Sequence, residues 1–165
     1  MLRRPAEALP LMERAIEVQR AALGPDDPRI ALFECNAADA LLALARPAEA
    51  EARLRKALPT VEATFGSEHA YVSYAVVGLG RALLAQGDRE GALPLLERGV
   101  RLREAHGVPE AHRAEAAFAL AQALGDDQRE RARRLAAAAR AAYEHAGISH
   151  ARDVMEIDAW LAAHR

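Results

Sequence analysis

The chain has 165 residues, and its 22 Lys plus Arg nearly balance 24 Asp plus Glu for a formal net charge of −2. That length supports one domain with a sizeable core, and the balance of charge removes any overall pull towards nucleic acid or an anionic membrane. Apolar residues make up 52% but aromatics only 4%, which suits helices packed closely through alanine.

Lys56 is the single lysine among many arginines, a bias that fits a GC-rich, bacterial genome. Cys35 is the single cysteine, so no intrachain disulfide forms, and a small buried hydrophobe in a reducing cytosol is the expectation. No run of about 18 apolar residues exists, and the N-terminus MLRRPAEALP lacks a signal-peptide core. A cytoplasmic location follows as the expectation.

The first predicted helix runs from Arg4 to Leu23. Pro5 suits its first turn, where a missing N–H costs nothing, and Met12, Ala15, Ile16 and Leu23 recur at helical spacing. Gly24 stops it, and Pro25-Asp26-Asp27-Pro28 reads as a turn, with Asp27 capping the next helix. The second helix, about 28–45, is apolar over much of its circumference through Ile30, Leu32, Phe33, Ala37, Ala38, Leu41, Leu42 and Leu44, which predicts burial on more than one side. The third, about 47–65, carries the stripe Leu54, Ala57, Leu58, Val61 and Phe65.

The turn Gly66-Ser67-Glu68-His69 follows, with Ser67 or Glu68 as the expected cap. Helices are then predicted over about 69–86, 88–106, 110–124 and 128–146, separated by Gly87-Asp88, Gly107-Val108-Pro109 and Gly125-Asp126-Asp127. Gly147 reads as a left-handed C-cap, and Ser149 as the cap of a last helix reaching about His164. No segment reads as a strand.

The chain repeats itself with a step of 42 residues, from Gly24 to Gly66 and from Pro5-Ala6-Glu7-Ala8 to Pro47-Ala48-Glu49-Ala50. Met12, Leu54 and Leu96 correspond, as do Ala15, Ala57 and Gly99, and Ile16, Leu58 and Val100. Small residues recur at Ala38, Gly80 and Ala121, at Ala50, Ala92 and Ala132, and at Ala57, Gly99 and Ala139. Small side chains recur where two helices must touch, because a larger one would push them apart.

On these residues the chain resembles a tetratricopeptide repeat protein. Its long step and the turn GSEHAYV at 66–72 are similar to the variety found in kinesin light chains and many bacterial proteins. The usual aromatic near the start of the first helix is absent, with Glu34, Val76 and Ala117 in its place. The tail ARAAYEHAG…MEIDAWLAAHR resembles the C-terminal repeat region of large bacterial serine/threonine kinases, although no kinase motif is present.

The resemblance implies an all-α, right-handed superhelical solenoid of about eight helices in antiparallel hairpins. It divides one repeat domain into a half repeat over 1–24, repeats over 25–66, 67–107 and 108–147, and a capping helix over 148–165. The chain opens on the second helix of a repeat, so that face is left open to a preceding segment or to self-association.

Single residues point to no chemistry. The six histidines show no HExxH or other tight ligand spacing, so no metal is expected. Gly78-Leu79-Gly80 lies mid-helix and reads as close packing, not as a phosphate loop. The run Arg129, Arg131, Arg133, Arg134 and Arg140 is interleaved with acids and lacks aromatics, which reads as a solvated face and not a nucleic-acid site. No catalytic constellation and no cofactor are expected.

The resemblance places the first helices of each repeat on the concave side. It implies that Cys35, Asp39, Leu42, Tyr74, Val77, Arg81, Glu115, Phe118 and Gln122 face a groove suited to a peptide or partner helix. Asp39, Arg81 and Gln122 share one repeat position and are hard to place in a core. The implied function is a non-catalytic protein-interaction scaffold, part of a larger bacterial signalling protein. The alternative is a regulatory or dimerisation segment of a bacterial transcription regulator. The expected partner is a protein or peptide, with neither nucleic acid nor membrane involved.

Overall fold

The computed structural model describes residues 4–24 and 27–164, without the side chain of Ile148. The expected turn at Pro25-Asp26 lies outside the described residues. The elements are α1 (Pro5–Leu23), α2 (Pro28–Ala43), α3 (Pro47–Phe65), α4 (Ala70–Ala85), α5 (Arg89–Ala105), α6 (Glu110–Ala123), α7 (Arg129–Ala146) and α8 (Ala151–Ala163). One turn of 3₁₀ helix precedes α7 at Asp126–Gln128, and another precedes α8 at Ile148–His150. Among the described residues there is no strand.

The helix starts follow local chemistry. Proline opens α1, α2 and α3, where its fixed φ suits the first turn and no N–H is lost. Asp27 accepts from the Arg29 amide at 2.9 Å, and Asp88 accepts from the Gly91 amide at 2.9 Å, each satisfying an orphan donor. Two expected caps are corrected. The α4 cap is neither Ser67 nor Glu68 but His69, whose Nδ1 accepts from the Tyr71 amide at 3.1 Å. Ser149 does not cap α8: it lies within the preceding 3₁₀ turn, and His150 holds the cap position without a side-chain bond.

Each helix packs on the next along the chain, the expected consequence of short connections. In addition α2 packs on α4, and α4 on α6. The outer helices approach less closely and meet through ion pairs, Arg98 with Glu62 between α5 and α3 at 2.7 Å and Arg131 with Glu97 between α7 and α5 at 3.0 Å. Hence α2, α4 and α6 form a close-set inner wall, while the second helix of each hairpin spreads on the outside. This asymmetry curves the stack and puts a concavity on the inner wall.

The core is a single run of apolar contacts through all the hairpins, with Leu41, Leu54, Leu96, Leu120 and Ile157 fully buried. Side chains of this size each contribute about 1.5–3 kcal/mol when removed from water. The repeated small residues lie where helices meet: Ala38, Ala50, Ala92 and Ala121 are each 0% exposed. A Cβ on Gly80 would stand 2.6 Å from Leu96 Cγ, and one on Gly99 would overlap Val77. Gly80 therefore sets the approach of α4 to α5 from one side and Gly99 from the other.

The α2–α3 and α4–α5 turns use the same hydrogen bond. Arg46 N–H donates to the Leu41 carbonyl at 2.9 Å, and Asp88 N–H donates to the Leu83 carbonyl at 2.9 Å. The left-handed residue is Gly87 at φ 86° in one turn but Ala45 at φ 56° in the other. Alanine there meets its own Cβ against the following peptide. Ala45→Gly is expected to stabilise the chain by about 0.5–1 kcal/mol. A urea melt showing no gain would contradict that account of the turn.

Candidate functional site: a charged cavity in the inner wall

The inner wall carries a line of alternating charges. Asp39 extends from α2, Arg81 from α4 and Glu115 from α6. Arg81 Nη1 donates to Asp39 Oδ1 at 3.1 Å and to Glu115 Oε1 at 2.6 Å. The second Glu115 oxygen accepts from Arg103 Nη1 at 3.0 Å, and Arg103 reaches inward from the last turn of α5. One guanidinium thus ties three hairpins together, and a second anchors the line from behind.

Arg103 is only 2% exposed. Its Nη1 also donates to the His112 backbone carbonyl, and its guanidinium lies over the Tyr74 ring at 5.3 Å from the centroid. The Nε–H has no protein partner. Buried charge is costly unless paired, so Glu115 and the Tyr74 face are what make this position tolerable.

These side chains open on a cavity of about 460 Å³. Asp39, Arg81, Glu115 and Gln122 line the inner wall, with Ala43, Phe118 and Ala119 as the apolar part. The segment before α8 and α8 itself close the far end with His150, Asp153 and Glu156. His150 stacks on Tyr143 at 4.9 Å between centroids, and its Nδ1 lies 3.1 Å from Asp153 Oδ2. Trp160 meets Phe118 edge to face at 6.1 Å, which fixes α8 against α6.

The concavity perturbs the acids in opposite directions. The Asp39 side chain is 47% exposed on the cavity side, while protein encloses it elsewhere. Desolvation, then repulsion from Glu115, push its carboxyl up to about 6, against the pull of Arg81 and Arg103. Burial also works against ionised Glu115, but Arg81 and Arg103 outweigh it and hold that carboxyl below its ordinary range. His112 is lowered by burial and by the Arg103 charge, so it is neutral at pH 7. Burial also pushes the Tyr143 phenol up.

Five of the nine residues expected in the groove meet in this cavity: Asp39, Arg81, Glu115, Phe118 and Gln122. Tyr74 lies one layer behind, between Arg103 and His112. Leu42 is half-buried and packs on the core.

Two expectations are corrected. Val77 is 1% exposed and fills the space opposite Gly99, so it faces α5 and not the groove. Cys35 is 6% exposed, with burial pushing its thiol up to about 12. Both share the repeat position of Phe118, itself 9% exposed. In α2 and α4 that position points into the wall and only in α6 does it reach the cavity, whereas the position of Asp39, Arg81 and Gln122 points out of the wall in all three.

The residues not expected here are Arg103, Tyr143, His150, Asp153 and Glu156. The first two had a signal in the sequence. Arg103 and Tyr143 occupy the repeat position of Val61, which is 0% exposed, so a charge had been placed on a core stripe.

Hairpins stacked in register, with a polar cavity in their inner wall, define an α-helical repeat solenoid with a concave face. A family model described as tetratricopeptide repeat matches residues 1–63 and 33–105, and the chain belongs to that family. Repeats of the family mediate protein–protein interaction. No curated protein matches the chain.

Two solved structures are similar to it, both of nearly identical TPR-like repeats attributed to a kinesin light chain of Podosopora anserina, one of them a point variant. Each is 24% identical, covers 98% of this chain and 77% of its own, and superposes with a TM-score of 0.66. That likeness is one of fold.

Proposed function

We propose that the chain is a non-catalytic scaffold that takes a peptide or partner helix in its concave groove. It belongs, in this reading, to a larger cytoplasmic signalling protein of a bacterium. The observation that carries the proposal is the outward repeat position, occupied by Asp39, Arg81 and Gln122. In α2, α4 and α6 alike it supplies a polar side chain to one cavity. A wall that served packing alone would carry small or apolar residues there, as it does at Ala38, Gly80 and Ala121.

The double variant Asp39→Ala/Arg81→Ala tests it. This change leaves Glu115 paired with Arg103, so no buried charge is stranded. Wild type and variant are immobilised side by side and exposed to one random peptide library. Peptides captured by the wild type are expected to bind the variant at least about tenfold more weakly, with the helical circular dichroism unchanged. Equal capture by a folded variant would refute the groove reading.

A further inference from the structure

The charges around the cavity do not cancel. Asp39 and Glu115 are answered by Arg81 and Arg103. At the α8 end Asp153 has only the His150 imidazole as its partner. Glu156 also lines the cavity, and among the described residues it has no ion-pair partner. The two carboxylates lie three residues apart on α8, so they share a face.

Between these charges the lining also offers apolar and aromatic surface, from Ala43, Phe118, Ala119 and Tyr143. The cavity therefore combines apolar surface with an excess of carboxylates at its α8 end. A flexible hydrocarbon stem ending in a cation matches both features: the stem covers apolar surface and the head meets the acids.

We propose that the occupant is a peptide bearing a lysine or arginine, whose cationic head is received by Asp153 and Glu156. This rests on the groove reading above and narrows it to a partner of basic chemistry. Arg81 does not oppose such a guest, because its charge is already shared between Asp39 and Glu115. An acidic peptide, by contrast, would bring like charge to an uncancelled anionic end.

The test pans a random peptide library against the whole chain. Enriched peptides are then synthesised, with norleucine replacing each lysine or arginine in turn. Three protein forms are compared: wild type, Glu156→Gln, and Ala43→Trp. Ala43 is an exposed residue, and the tryptophan obstructs the mouth without entering the core.

The expected result is one basic residue common to the enriched peptides. Its replacement by norleucine weakens binding about tenfold. Glu156→Gln weakens it several-fold, and added salt weakens it further. Peptides blocked by Ala43→Trp but indifferent to norleucine would overturn the basic-partner proposal and leave the groove reading standing. Capture untouched by Ala43→Trp, or no enrichment at all, would overturn both. Spermidine binding where no peptide does would show a site for small cations and would also overturn the proposal.

Discussion

Arg103→Ala is expected to destabilise the chain by about 3–5 kcal/mol, from the lost buried stem and the acceptors left unsatisfied. Arg103 is 2% exposed and holds one oxygen of Glu115 and the His112 carbonyl. Truncation removes the stem from the core and leaves both acceptors without their donor. At this chain length the loss corresponds to a fall in Tm of roughly 6–20 °C.

A melt by circular dichroism measures it directly, and Arg101→Ala supplies the contrast. Arg101 pairs with Glu68, but both side chains are more than half exposed, so its loss should vanish within the error of the melt. If the two variants melt together, Arg103 does not have the structural role assigned to it.

The second expected result is a displaced titration. Asp39 should take up its proton near pH 6, well above the ordinary 3.8. Its proton affinity is then higher in the folded chain than in the unfolded one, a gain moderated by solvent because about half of the side chain is exposed. Because the folded state holds the proton more tightly, this residue favours folding fully below pH 3.8. That contribution declines as pH rises and is gone above about 6. Glu115 works the other way, since its carboxyl is held low: it stabilises above its ordinary 4.5 and loses that contribution on acidification.

Asp39→Asn should therefore flatten the fall in stability between about pH 4 and 6, without altering the loss at lower pH that Glu115 causes. Side-chain carboxyl NMR reads the Asp39 midpoint itself. A midpoint near 4 would show that Arg81 neutralises Asp39 more completely than the enclosure allows.

The helices were legible because most boundaries rest on a local device, the starts of α4 and α8 being the exceptions. Proline at a first turn, glycine past a last one and the recurrence of Ala50 as Ala92 all act within a few residues of where they are read. The charged line was only half legible. Asp39 and Arg81 stood out because they share a repeat position that a core could not hold. Glu115 takes a place held by Tyr74 one repeat earlier, and its meaning depends on Arg81 and Arg103, which are remote in sequence.

Val77 was misplaced for a related reason. Helical periodicity fixes which residues share a stripe. Which way the stripe faces was settled by Gly99 on the neighbouring helix. Nothing in the sequence around Asp153 and Glu156 sets them apart from other helix acids. The docking of α8 on α7, with Trp160 against Phe118, turns them towards the cavity.

The line Asp39–Arg81–Glu115 has a consequence for how the stack comes apart. Repeat arrays whose units touch only their neighbours can fray one unit at a time. Here the middle guanidinium is bonded to the hairpin before it and the hairpin after it. Opening either end releases a carboxylate that the middle unit depends on. The three hairpins are thereby bound into one cooperative block, and amide protons of α2, α4 and α6 should exchange with a shared free energy of opening rather than in a gradient from the ends.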